Sequence, residues 1–105
     1  MESNWTREIN RNALSEFCHR YGVQRLASFG SVNRRDFTEE SDIDILVEFL
    51  PDRVPGYVTF IRMQNELSER FFHGRRVDLN TPHSLSPHFR DDALSEARNL
   101  YVEAG

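Results

Sequence analysis

Two aspartates alternate with isoleucine where an apolar segment begins, in the stretch Asp42-Ile43-Asp44. The alternation continues through Ile45 and predicts a β-strand from Ile43 to Phe49, with Asp42 and Asp44 on the face opposite the isoleucines. Carboxylates are uncommon in strands because removing them from water costs free energy. The pair therefore indicates a functional site rather than a structural need, and it determines which face of the strand is buried.

The remaining segments predict further helices and strands, in the order α-β-β-α-β-α. The predicted elements are a helix from Trp5 to Tyr21 capped by Asn4 and ended by Gly22, strands over Val23–Phe29 and Val77–Leu79, a helix over Tyr57–Phe72, and a helix from Ser86-Pro87 to Tyr101 with Phe89, Ala93, Ala97 and Leu100 inward. This order predicts a small mixed sheet covered by helices, an α+β fold of the α/β-sandwich type.

Length and composition limit the classes of protein that this chain can belong to. The 105 residues suit one small domain, residues 1–105, and the net charge of -4 argues against nucleic acid as a direct partner. The single cysteine, Cys18, excludes an internal disulfide and lies on an apolar helical stripe, which predicts a buried thiol. The sequence has neither a basic and apolar leader nor an apolar run long enough for a membrane helix, so we expect a cytoplasmic protein.

A third aspartate, Asp78, lies between Val77 and Leu79 in the last predicted strand. If that strand pairs beside the one containing Asp44, the three aspartates Asp42, Asp44 and Asp78 meet on one face of the sheet. Three carboxylates in close proximity repel one another unless a cation holds them. Oxygen ligands of this kind suit Mg²⁺, and two such ions would support phosphoryl or nucleotidyl transfer.

Gly30-Ser31 supplies features that a phosphate needs, in the turn before the acidic strand. Glycine lets the backbone approach a phosphate closely, and the serine hydroxyl can donate a hydrogen bond to it. Arg34 lies in the same loop, where it can pair with a polyphosphate. The turn lacks the glycine and lysine spacing of a P-loop.

Each of these features alone has an ordinary structural explanation. A Gly-Ser pair is a common turn, an Asp-x-Asp pair is often a solvated strand end, and loop arginines such as Arg34 are usually solvated. Their combined order and spacing indicates a functional site.

Gly30-Ser31, the Asp42 and Asp44 pair, and the later Asp78 together resemble the polymerase-β-like nucleotidyltransferase superfamily. Within it the chain is most similar to the minimal nucleotidyltransferases, or MNT proteins, that pair with HEPN toxins. The resemblance covers most of the chain and includes three further stretches: Ser41 to Val47, Arg75-Arg76-Val77-Asp78-Leu79-Asn80-Thr81-Pro82, and Leu85-Ser86-Pro87-His88-Phe89-Arg90, where the family carries an aliphatic residue at the position of Phe89.

The resemblance implies an antitoxin that uses ATP and Mg²⁺ to transfer AMP to a tyrosine hydroxyl of a HEPN ribonuclease. Asp42 and Asp44 would hold two Mg²⁺ ions with the triphosphate, Asp78 would complete the metal site and accept the acceptor proton, and Gly30, Ser31 and Arg34 would bind phosphates. A hetero-oligomer with the toxin is implied. The short chain predicts a macromolecular acceptor, because larger nucleotidyltransferases append a helical domain that grips theirs.

Two alternative functions remain at this stage. The antitoxin could act mainly by binding and masking its toxin, with weak or lost catalysis. The chain could instead be a small-molecule nucleotidyltransferase of the antibiotic-modifying kind. The absence of an acceptor domain counts against this second alternative.

Overall fold

The computed structural model describes residues 9–30 and 42–103 of the chain. The elements are α1 (Arg11–Tyr21), β1 (Val23–Phe29), β2 (Ile43–Phe49), α2 (Tyr57–Phe71), β3 (Val77–Asn80), a 3₁₀ turn (Pro82–Ser84), α3 (Pro87–Glu96) and β4 (Arg98–Val102). None of the helices in these two ranges is long and apolar enough to cross a membrane.

The strands form one mixed sheet with the order β3-β2-β1-β4. β1 runs antiparallel to both β2 and β4, while β2 and β3 are parallel and are connected by α2. The predicted α+β architecture and the predicted place of the third strand beside the second are both confirmed.

The main core lies between one face of the sheet and the helices α1 and α2. Ile43, Ile45 and Val47 of β2 contribute to it, as predicted from their alternation. Phe17 of α1 is fully buried there. Cys18 is also fully buried, and this burial, together with the Glu103 carboxylate, raises the pKa of its thiol to about 12. The prediction of a buried thiol is confirmed.

The opposite face of the sheet is called the acidic face here, because Asp44 and Asp78 lie on it. α3 covers part of this face through a smaller apolar cluster, formed by Phe29, Leu46, Leu85 and Ala93. Arg90 fixes α3 to the segment before it, since its guanidinium donates hydrogen bonds to the carbonyls of Pro82 at 2.6 Å and Leu85 at 3.1 Å. The rest of the acidic face is left accessible beside the cluster.

The predicted start of the first helix at Trp5 is wrong. Ile9 and Asn10 are not helical, and α1 begins at Arg11. Asn10 has an extended backbone, and its side-chain oxygen accepts a hydrogen bond from the Ala13 N–H at 3.1 Å. This N-cap sets the start of the helix, because it supplies a partner for an N–H group that has none within the helix. Trp5 and the predicted cap Asn4 lie outside the described residues, while Gly22 ends α1 as predicted.

The last helix was predicted to continue to Tyr101, and this prediction is also wrong. α3 ends at Glu96, Ala97 is extended, and Arg98–Val102 form the edge strand β4 against β1. The spacing of apolar residues is helical, but pairing with β1 satisfies backbone groups that β1 would otherwise expose. Phe89 was expected to face inward on this helix and is instead 45% exposed.

Glu66 connects α1 and α2 through a network of hydrogen bonds. Its carboxylate accepts from Tyr21 Oη at 2.9 Å, Arg20 Nη1 at 3.1 Å and Arg70 Nη1 at 2.5 Å. Partial burial favours the neutral acid, but hydrogen bonds from Arg70 and Tyr21 and the two arginine charges outweigh it. They hold the pKa of Glu66 below its usual value of 4.5. The network therefore stabilises the fold only while Glu66 is ionised.

Glu66→Gln should lower the free energy of unfolding at pH 7 by about 1 kcal/mol, because the solvent-exposed arginines limit the strength of the network. Since the folded pKa lies below the unfolded one, this stabilisation is present above about pH 4.5 and is lost as the pH falls through the folded pKa. Urea unfolding of both proteins across the acid range measures the difference, with Glu69→Gln on the same helix as the control. A constant difference from pH 7 to pH 3 would contradict this account.

Candidate functional site

Asp44 lies at the centre of a row of three side chains that crosses the acidic face. It pairs with Phe29 of β1 on one side and with Asp78 of β3 on the other. Directly paired residues point to the same face, and neighbouring strands are about 4.8 Å apart. The sequence prediction that Asp44 and Asp78 share a face is therefore confirmed by the strand register. Asp44 is half-buried and Asp78 is exposed.

Asp42 lies just before β2, one pleat away from Asp44 and on the same side of the strand. Its side chain is 47% exposed, and its Oδ1 atom is 4.0 Å from Nε of Arg76, whose side chain is 82% exposed. The backbone brings the two together, because the Ile43 N–H donates to the Arg76 carbonyl at 2.9 Å. An exposed pair at this distance is weak, so the arginine head can move away when another cation or a phosphate approaches.

Gly30 brings the turn after β1 against the Asp44 carboxylate. Its φ of 72° is in the left-handed region that glycine favours. A Cβ atom at this position would overlap Oδ2 of Asp44 and would lie 3.3 Å from its Cγ. The absence of a side chain therefore lets the start of the loop and the Asp44 carboxylate occupy adjoining space. The role of this turn in binding phosphate stays a prediction from the sequence.

The three aspartates are not gathered into a finished metal cluster. Among residues 9–30 and 42–103, no three His, Cys, Asp or Glu side chains are placed to hold a metal ion together. The donor set nevertheless fits Mg²⁺ in its chemistry, because it consists of carboxylate oxygens, which are the ligands that this cation prefers. Without a cation, mutual repulsion opposes closer approach of the carboxylates.

Two of the predicted phosphate-binding residues, Ser31 and Arg34, lie outside the described residues. Their roles remain predictions from the sequence. Gly30 and the three aspartates are the members of the predicted site that the structure places.

Arg76 lies near the site and was not among the site residues predicted from the sequence. The signal in the sequence was its position two residues before Asp78. Only the parallel pairing of β2 and β3, with Ile43 opposite Val77, brings it beside Asp42. The site thus combines oxygen ligands for a cation with an exposed positive charge, an arrangement suited to a metal-bound polyphosphate.

Comparison with known proteins agrees with this chemistry. Residues 11–100 match the family described as the nucleotidyltransferase domain. The protein adenylyltransferase MntA of Thermococcus cleftensis is 36% identical over 87 residues, which is 83% of this chain and 82% of that protein. A solved structure assigned to a minimal nucleotidyltransferase is 35% identical, with a TM-score of 0.67 and coverage of 84% of this chain and 86% of that one.

Two toxin–antitoxin complexes contain a chain of the same fold. One complex was solved with AMP-PNP, and its matching chain is 19% identical, with a TM-score of 0.69 and coverage of 91% of this chain and 76% of that one. The other holds a tri-AMPylated HEPN toxin of Shewanella oneidensis with its MNT antitoxin, at 19% identity, a TM-score of 0.61 and coverage of 89% and 70%. By its sequence match, its identity to MntA and its fold, the chain belongs to the nucleotidyltransferase-domain family, among the minimal nucleotidyltransferases.

Proposed function

We propose that this chain is an antitoxin that transfers AMP from ATP to a tyrosine hydroxyl of a HEPN ribonuclease toxin and so neutralises it. The observation that carries the proposal is the placement of Asp44 between the glycine turn at Gly30 and the paired Asp78, which brings a glycine turn beside two adjacent carboxylates. Its relatives support the acceptor and the reaction, since MntA is a protein adenylyltransferase and the Shewanella oneidensis complex contains an AMPylated HEPN toxin.

In the proposed reaction the tyrosine oxygen attacks the α-phosphorus of ATP. A new phosphorus–oxygen bond forms, the bond between the α-phosphorus and the bridging oxygen breaks, and pyrophosphate leaves. Asp78, which is exposed on the edge strand β3, would accept the phenolic proton. Mg²⁺, held by Asp42, Asp44 and Asp78, would neutralise the triphosphate and the charge that develops on pyrophosphate.

The remaining residues of the site would bind and orient the nucleotide. Gly30 and Ser31 would donate to the phosphates, and Arg34 would pair with them. Arg76 would move away from Asp42 and pair with the negatively charged triphosphate. The chain would work as a single domain, residues 1–105, in a cytoplasmic hetero-oligomer whose toxin subunit presents the tyrosine.

Asp78→Asn should abolish growth rescue while it leaves the complex with the toxin intact. Asparagine keeps the volume and one acceptor oxygen, and Asp78 is exposed, so folding should be unaffected. The loss of a metal ligand and proton acceptor should slow AMP transfer by about 100-fold or more. The measurement is the intact mass of the coexpressed toxin together with the growth of the host, and Asp91→Asn, exposed on α3, is the control.

The same experiment separates catalysis from masking. Under the proposal, toxin recovered with the Asp78→Asn variant carries no added AMP and the cells stop growing. Full protection without any added mass would show that the antitoxin works by binding alone and would remove the catalytic function.

Gly30→Ala should weaken nucleotide binding, and the loss of affinity should be larger than the decrease in the free energy of unfolding can explain. The new methyl group must displace the Asp44 carboxylate, and the left-handed backbone adds about 1–2 kcal/mol of strain. Gly74→Ala is a matched control, because Gly74 has a φ of 80° but no atom within 4 Å of the added Cβ. In thermal unfolding, Gly74→Ala should show the cost of the left-handed backbone alone, and Gly30→Ala should lose at least as much stability because its methyl group also meets the Asp44 carboxylate.

Calorimetric titration with Mg²⁺ and ATP then distinguishes the two glycines. Gly74→Ala should bind like the wild type, whereas Gly30→Ala should bind at least tenfold more weakly. Equal affinities in the two variants would mean that contact between Gly30 and Asp44 has no part in nucleotide binding.

A further inference from the structure

Phe89 is an aromatic residue at the margin of the smaller apolar cluster on the acidic face, and its ring is not buried. It lies in the first turn of α3, where its N–H donates to the Ser86 side chain at 3.4 Å, and it is 45% exposed. Its ring centroid is 6.1 Å from that of Phe29, with an angle of 58° between the rings. One part of the ring is therefore supported by Phe29, and much of the remainder meets solvent.

The packing of α3 does not depend on this ring. Leu85 and Ala93 are the buried residues that attach the α3 region to the sheet, with Leu94 and Ala97 beside them. Arg90 adds two hydrogen bonds to backbone carbonyls.

The ring lies on one side of the acidic row. Phe29, its neighbour, pairs with Asp44 and directly precedes Gly30, whereas Asp78 lies on the other side of Asp44. The proposed reaction uses Asp78 for the acceptor hydroxyl, so the acceptor approaches from the β3 side. The side formed by β1 and α3, which contains Gly30, Phe29 and Phe89, is left for the nucleotide.

We propose that Phe89 is the platform on which the nucleobase of ATP stacks. This inference rests on the proposed function, because it assigns ATP to this face. A supported but exposed aromatic ring offers a π-face to a base, and stacking tolerates any base because every base has such a face. Phe89 would thus position the nucleoside, while Gly30 and the carboxylates act on the phosphates and the cation.

The test compares the binding of ATP with that of inorganic tripolyphosphate, which has no base, in the presence of Mg²⁺. Phe89→Leu keeps an apolar side chain without a ring, and Phe89→Tyr keeps the ring. We expect Phe89→Leu to bind ATP about tenfold more weakly, with unchanged affinity for tripolyphosphate, and Phe89→Tyr to bind both as the wild type does. Tyr57→Leu is the control, since it removes a ring that is 79% exposed at the far end of the sheet.

Three results would overturn the inference. Phe89→Leu could bind ATP as tightly as the wild type, it could lose ATP and tripolyphosphate affinity equally, or it could raise the KM for the protein acceptor while ATP affinity is unchanged. The last result would assign the ring to the acceptor. Binding is measured without acceptor, so a wild-type chain that binds ATP but transfers no AMP would refute the proposed function and leave the inference about Phe89 separately tested.

Discussion

The two-sided use of β2 is the constraint on which the rest of this structure depends. Ile43, Ile45 and Val47 enter the main core from one face of the strand, and Asp44 lies on the other. β2 is interior to the sheet, so its register determines how both β1 and β3 pair with it. A shift of one residue would turn the aspartate into the core and the isoleucines outward, which makes such a slip prohibitively costly. Core packing and site geometry are thus set by the same interaction.

Side chains from α1 and α2 form hydrogen bonds with the backbone at both edges of the sheet. On the β3 edge, the Leu79 N–H donates to Oε1 of Gln64 in α2 at 3.0 Å, and on the β4 edge, Arg11 of α1 donates to the Leu100 carbonyl at 3.0 Å. Edge strands that expose backbone donors and acceptors invite pairing with other chains, and such contacts reduce that tendency. For β3 the contact also steadies the strand that carries Asp78. The helices α1 and α2 therefore support the site from the opposite face of the sheet without lining it.

Within the described residues, the candidate site is a set of neighbouring carboxylates and not a preformed metal cluster. Asp44 adjoins Gly30 on one side and Asp78 on the other, while Asp42 is accompanied by Arg76. Like charges on one face oppose one another until a cation compensates them. These side chains lie outside the main core, so a cation could bind to them without rearranging that core.

The sequence by itself determined the alternation of β2, the strand limits Val23–Phe29 and Ile43–Phe49, the glycine turn and the three aspartates. These features are local, since the period of side chains along a strand and the conformational freedom of glycine depend on a few adjacent residues. Only the tertiary structure decided that residues 98–102 form an edge strand, because their helical spacing was overridden by pairing with β1. It also decided that Arg76 lies beside Asp42 and that Phe89 is exposed on the acidic face. Both placements follow from contacts between segments that are distant in the chain.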